Sequence, residues 1–174
     1  VRRLEGLLSE MRDYYTPREM NCEPVDILQV FKEILDPLSE EFKSRGIEVE
    51  TSIAEDVKWV EGDPRKLKQV FLNLVKNAME AMKDGGAIRV SASPSDDLVE
   101  IKVADEGHGI SEKDKDKLFT PFFTTKSKGT GLGLCVVKRI VEQHKNGSIS
   151  LESEEGRGTV FTVRLPRSSM TGMF

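Results

Sequence analysis

Residues 63–86 read DPRKLKQVFLNLVKNAMEAMKDGG, and the reading of this stretch decides the fold. Asp63 offers a capping carboxylate and Pro64 occupies the first helical position, where a missing N–H costs nothing. Val70, Phe71, Leu74, Val75, Ala78 and Met82 then recur at intervals of three and four. The spacing predicts an amphipathic helix that runs to about Lys83 and stops at Gly85-Gly86. Asn73 and Asn77, four residues apart, share one face of it. Asparagine is a middling helix former, so two on one face call for a reason beyond solubility. An amide oxygen is a hard ligand of the kind Mg²⁺ accepts alongside phosphate oxygens and water.

Outward from this helix the periodicity alternates between two kinds. Ile88 to Ala92 and Leu98 to Ala104 follow it as strands, and Ile47, Val49, Thr51 and Ile53 precede it with period-two alternation. Trp59-Val60 reads as a further short strand. Asp26 caps an earlier helix carrying Ile27, Val30, Phe31, Ile34, Leu35, Leu38 and Phe42 up to Gly46, with Pro37 inside it. From 105 to about 130 the periodicity vanishes into scattered glycines, lysines and phenylalanines, with at most a short helix from Ser111. A loop of ~12–15 residues is already uncommon in a compact domain, so this longer stretch reads as a functional lid. Leu132 to His144 is helical again, and Ile149, Leu151 and Val160 to Leu165 close the chain as paired strands. This order predicts an α+β domain with a mixed sheet and helices on one face, since consecutive hairpins cannot all be parallel. At the start, Leu4, Leu7, Leu8, Met11, Tyr14 and Tyr15 give residues 1–15 one apolar seam, read as the end of a longer helix. Residues 16–25, with Pro17 and Pro24, read as a linker.

The 174 residues suit one domain with a short appendage, which at this size buries roughly two thirds of its unfolded surface. With 37% apolar and 32% charged residues the composition is that of a globular protein. A net charge of −4 gives no electrostatic reason to expect nucleic acid or an anionic membrane. No apolar run approaches the ~20 residues of a membrane span. Cys22 and Cys135 are too few and too far apart for a disulfide framework or a zinc site, so a reducing cytoplasm fits best.

Three further clusters carry chemistry. Asp105-Glu106-Gly107-His108-Gly109 directly follows an apolar strand. In isolation it reads as a turn. As a site, it would place the Asp105 carboxylate on a pocket floor, accepting from an adenine amino group, with glycines letting the backbone approach the base. Guanine presents an oxygen at that position, so ATP should be preferred to GTP. Gly129-Thr130-Gly131-Leu132-Gly133-Leu134 opens a helix, where free N–H groups and the positive dipole end favour phosphate. It is not a Walker loop, because no Gly-Lys pair occurs in the chain, nor a dinucleotide fingerprint, because no strand precedes it. Phe119, Phe122 and Phe123 surround Pro121 ahead of Thr124-Thr125-Lys126, a cluster suited to tethering a mobile segment or meeting a partner.

In this order and spacing the clusters resemble the nucleotide-binding domain of sensor histidine kinases, within the superfamily that includes gyrase, Hsp90 and MutL. The likeness covers about residues 24–166. Gln69 to Met82 is similar to the family's N box, Asp105 to Ile110 to its G1 box, Leu118 to Phe123 to its F box, and Gly129 to Leu134 to its G2 box. Gly158-Thr159 resembles the closing element whose hydroxyl reaches toward adenine. The resemblance implies a two-layer α/β sandwich, the Bergerat fold, with ATP between helices and sheet beneath a lid. It also implies that Asn77 coordinates Mg²⁺ and that Asn73 supports the metal or phosphates. Asp105, Gly107, Gly109, Ile110 and Thr159 would then hold the base, and Gly129, Thr130, Gly131, Leu132, Gly133 and Leu134 the phosphates. Thr124-Thr125-Lys126 is similar to nitrogen-regulator-type kinases, which makes Lys126 a candidate for the γ-phosphate.

Hydrolases of the superfamily carry a glutamate where this chain has Asn73. An amide has no useful basicity, so transfer to another group is favoured over hydrolysis. The family's acceptor is a histidine on a dimerising helical hairpin, and neither His108 nor His144 has that context. The expectation is therefore a fragment: a dimerisation-helix remnant at 1–15, a linker at 16–25, an ATP-binding catalytic domain at 26–166 and a tail at 167–174. It would be a monomer from a homodimeric parent that works with a histidine-bearing domain and a response regulator. An anti-sigma-factor-type serine kinase, a superfamily ATPase and a nucleotide-free interaction module remain as alternatives.

Overall fold

The computed structural model describes residues 2–15, 19–127 and 129–169. Parts of the linker and tail readings (16–18 and 170–174) and Lys128 of the lid lie outside them. The elements run α1 (Arg2–Tyr15), β1 (Glu23–Asp26), α2 (Ile27–Ser44), β2 (Ile47–Ile53), β3 (Trp59–Gly62), α3 (Pro64–Ala81), β4 (Gly86–Ser95), β5 (Leu98–Asp105), α4 (Glu112–Lys115), α5 (Gly133–Gln143), β6 (Ser148–Glu154) and β7 (Gly158–Pro166). Five strands form one mixed sheet in the order β2-β4-β5-β7-β6. Only β2 and β4 are parallel; the other pairs are antiparallel. A parallel pair needs a crossover, and α3 lies within it.

The expected helices and strands are present, with two differences. Glu23–Val25, read as the end of the linker, pair with Gly62–Val60 in a second small sheet. This pairing could not be read from a four-residue strand containing Pro24. Arg167, read as tail, bridges Val60, and the Ser168 N–H donates to Trp59 O at 3.1 Å. The described start of the tail is thus bound to the domain.

Alternation builds the core. Val99, Ile101 and Val103 of β5 and Phe161, Val163 and Leu165 of β7 are buried on the face that α2, α3 and α5 cover. Helix α3 lies at the centre of that layer, burying Leu67, Val70, Phe71, Leu74, Val75, Ala78 and Met79. Its Phe71 ring meets Phe31 of α2 with centroids 4.8 Å apart, a spacing aromatic pairs favour. Of the seam read on α1, Met11 packs against the core, while Leu8 and Tyr15 are exposed. The side chains of Leu4, Leu7 and Tyr14 lie outside the described residues. Among the described residues no helix is long and apolar enough to cross a membrane.

A polar junction fixes α3 against α5. Asp63 Oδ1 accepts from the N–H groups of Arg65 and Lys66 at 3.0 and 3.1 Å, and Oδ2 accepts from Asn21 N–H at 3.0 Å. Burial works to raise the Asp63 carboxyl, but these backbone donors outweigh it and hold it below the usual range. The Asp63 N–H in turn donates to His144 Nε2 at 3.2 Å, and His144 Nδ1 lies 2.8 Å from Ile140 O. With one nitrogen accepting and the other donating, the buried imidazole is neutral. Burial pushes its pKa below the ordinary histidine value.

A lowered pKa means that the unfolded chain takes up the His144 proton first. This contribution to stability is complete above about pH 6.5 and is lost as pH falls through the folded-state value. Thermal melting between pH 5 and 7.5 should show this slope in the wild type and a flatter one in His144→Phe. At neutral pH that variant should lose about 1–3 kcal/mol, because the Asp63 N–H is left buried without an acceptor.

Candidate functional site

The inward rows of the sheet do not end apolar. In β5 the row Val99, Ile101, Val103 continues at the same parity to Asp105, and in β7 the row Leu165, Val163, Phe161 continues to Thr159. Asp105 and Thr159 are register partners at the same end of the sheet, 9% and 5% exposed. Beyond them, between this end and α3, opens a cleft of ≈ 390 Å³ roofed by the lid.

Burial is the largest influence on Asp105 and raises its carboxyl above the usual range, while backbone N–H groups of Gly107 and Thr159 pull the other way. The Gly107 N–H donates to Asp105 Oδ1 at 2.8 Å. The carboxylate is thus oriented by the backbone and retains acceptor capacity toward the cleft. Thr159 Oγ1 lies 2.9 Å from Ser153 Oγ, which also donates to Gly158 O at 2.8 Å and accepts from Ile110 N–H at 2.9 Å. Ser153 of β6 therefore ties the closing strand to the start of the lid. No motif on the page of sequence singled it out, because its partners lie up to 43 residues away.

Asn73 and Asn77 enter the cleft from α3, beside the buried stripe. The same helix adds Lys76, Glu80 and Ala81 to the lining, three residues that the sequence reading did not single out within Gln69 to Met82. Opposite them stand Lys126, Gly129, Thr130, Gly131, Gly133 and Leu134. Asp105, Gly109, Ile110 and Thr159 line the cleft as well.

Two of the expected site residues sit elsewhere. Leu132 is fully buried in the core, where its carbonyl accepts from Val136 N–H at 3.0 Å. Its place is to anchor the first turn of α5 while its glycine neighbours face the cleft. Gly107 does not line the cleft; a Cβ there would fall 2.6 Å from Ala81 Cβ, so its small size lets the turn pack against the end of α3.

The phenylalanine cluster divides its labour. Phe119 packs against the core with the Lys138 ammonium 5.5 Å from its ring centroid, and Phe123 lines the cleft. Phe122 is 53% exposed in the left-handed region at φ 65°, and its N–H donates to Gly131 O at 2.9 Å. Gly131 has φ +73°, and a Cβ on it would come 2.4 Å from the Phe122 carbonyl carbon. Only glycine allows these two ends of the lid to meet so closely.

The donors fit a hard cation. Asn77 Oδ1 and the Glu80 carboxylate both contact the Lys126 ammonium, a positive group standing on their shared face. Among the described residues no group of three or more His, Cys, Asp or Glu side chains could hold a metal unaided.

Residues 62–169, more than half the chain, match the family model described as histidine kinase-, DNA gyrase B- and HSP90-like ATPase. The chain is 41% identical over 164 residues to the sensor histidine kinase ZraS of Escherichia coli K12, covering 94% of this chain and 35% of that protein. It thus spans about a third of that relative's length. Among solved structures it resembles full-length ShkA in complex with AMPPNP, with a TM-score of 0.82, 26% identity and coverage of 95% of this chain and 36% of the other. It also resembles the histidine kinase ThkA in complex with the response regulator protein TrrA, with a TM-score of 0.81, 29% identity and coverage of 96% and 48%. Carrying the Bergerat fold with its cleft between α3, the sheet end and the lid, the chain belongs to the histidine kinase-, DNA gyrase B- and HSP90-like ATPase family.

Proposed function

We propose that this chain is the ATP-binding catalytic domain of a two-component sensor histidine kinase, transferring the γ-phosphate of Mg-ATP to a histidine on a separate dimerisation domain. The observation that carries this reading is the convergence of Asp105, the Asn73–Asn77 face and the glycine loop on one cleft. Asp105 accepts from the adenine amino group, held for that task by Gly107 and Thr159. The backbone at Gly109 and Ile110 and the Thr159 hydroxyl complete the base-binding floor. Thr130, Gly131 and Gly133 bring backbone to the cleft at the start of α5, where N–H groups favour phosphate. Asn77 and Asn73 offer amide oxygens to Mg²⁺, which when bound neutralises phosphate charge. Lys126 reaches the γ-phosphate from the lid.

Transfer is favoured over hydrolysis because the amide at 73 cannot take a proton from water. Neither histidine is placed as the acceptor. His144 is buried at 2% exposure with both nitrogens engaged, and His108 lies in the base-binding wall. The domain reading follows: residues 26–166 form the catalytic unit, reinforced by strand pairing from 23, and 1–15 are part of a dimerisation helix. The parent is a homodimer that passes its phosphate to a response regulator.

Mg-ATP at about 100 times its dissociation constant should stabilise the chain by about 2.7 kcal/mol, read as a rise of several degrees in melting temperature. GTP should shift it far less. Asp105→Asn should weaken ATP binding by about 10- to 100-fold, as expected for losing a hydrogen bond to a charged acceptor, and narrow the ATP/GTP ratio. An unchanged ratio would remove Asp105 from the base site.

Mixed with a separately prepared histidine-bearing hairpin and γ-labelled ATP, the chain should label that histidine, and Asn77→Ala should abolish the transfer. Steady phosphate release without labelling would favour the ATPase alternative.

A further inference from the structure

The cleft contains one contact that the nucleotide reading does not need. Lys126 lies on the lid, and its Nζ donates to Asn77 Oδ1 at 3.0 Å while forming an ion pair with the Glu80 carboxylate. Its backbone N–H donates to Thr124 Oγ1 at 3.0 Å, so the turn that carries it is itself braced. Glu80 follows Asn77 by three positions on α3, close enough for both side chains to address one ion. The amide oxygen and the carboxylate together form a seat for a cation, and a cation borne by the lid fills it.

The same Asn77 oxygen is the one offered to Mg²⁺. An ammonium and a divalent ion cannot share it without strong repulsion at that distance. One must leave as the other arrives. Lysine suits the movable role, since its charge rides on a flexible four-carbon stem.

We propose that Glu80 is a positioning residue that parks Lys126 on Asn77 while the cleft holds no nucleotide. It surrenders Lys126 when Mg-nucleotide claims the seat. The release half rests on the ATP-binding reading above; the parked half does not. Glu80 thereby couples metal arrival on α3 to movement of the lid, because the Lys126 ammonium is freed for phosphate only when its place on Asn77 is taken. The Lys126 and Glu80 side chains are 37% and 51% exposed, and exposed pairs are weak. Weakness suits a contact that must open in every cycle.

Hydrogen exchange of the lid amides 124–131 tests this in the nucleotide-free chain. Glu80→Gln and Lys126→Gln should each speed exchange by about two- to fivefold, the range that such pairs support. The double variant should exchange no faster than Lys126→Gln alone, because Glu80 acts only through Lys126. With saturating Mg-ATP, wild type and Glu80→Gln should converge. Unchanged exchange in nucleotide-free Glu80→Gln, or additive effects in the double variant, would overturn the proposal. So would faster exchange of Glu80→Gln that persists under Mg-ATP, which would mark a merely structural role. If Mg-ATP alters neither melting nor exchange of the wild type, the binding reading and the release half fail together, while the nucleotide-free comparison still decides the parked contact.

Discussion

A strand shows successive side chains to opposite faces, and the cleft of this protein depends on that constraint running one residue past the end of the apolar row. Val99, Ile101 and Val103 are buried beneath the helices, and the next residue of the same parity is Asp105. A carboxylate is thereby delivered into a mostly apolar layer at the sheet's end, where its antiparallel partner Thr159 and the following turn supply N–H donors. A slip of one residue in the register would turn the core to solvent and remove Asp105 from the cleft together. The stability of the sheet and the position of the site are therefore fixed by the same pairing.

Apolar burial seats the helical wall on the sheet, and one polar junction ties two of its helices together. Asp63 caps α3, anchors the segment at Asn21, and donates its N–H to His144 at the end of α5. Helix α3 carries the asparagines and α5 begins at the glycine loop, so this junction joins the two helices that bear cleft residues. A neutral imidazole is suited to the place, since it can accept at one nitrogen and donate at the other with no charge to desolvate.

The lid belongs to a different energetic class. It is fastened by Phe119, by the close backbone contact of Phe122 with Gly131, and by the exposed Lys126–Glu80 pair. Such contacts are worth far less than the burial of α3, so less free energy is needed to displace the lid than to disrupt the sheet.

Much of this was legible in the chain. Helix α3, its cap, the asparagine face, the alternating strands, Asp105 and the glycine loop all rest on relations among residues a few positions apart, where the periods of helix and strand act directly. The long-range pairings were not legible. That Glu23–Val25 add a strand, that Ser153 braces Ile110, and that Lys126 meets Glu80 across 46 residues depend on how separate elements come together. Leu132 and Gly107 show the same limit at close range: the motif names them, but only packing decides that one enters the core and the other spaces the turn. The sequence by itself determined which residues share a face, because periodicity is local. The tertiary structure alone decided which faces meet, because that is a matter of packing between distant segments.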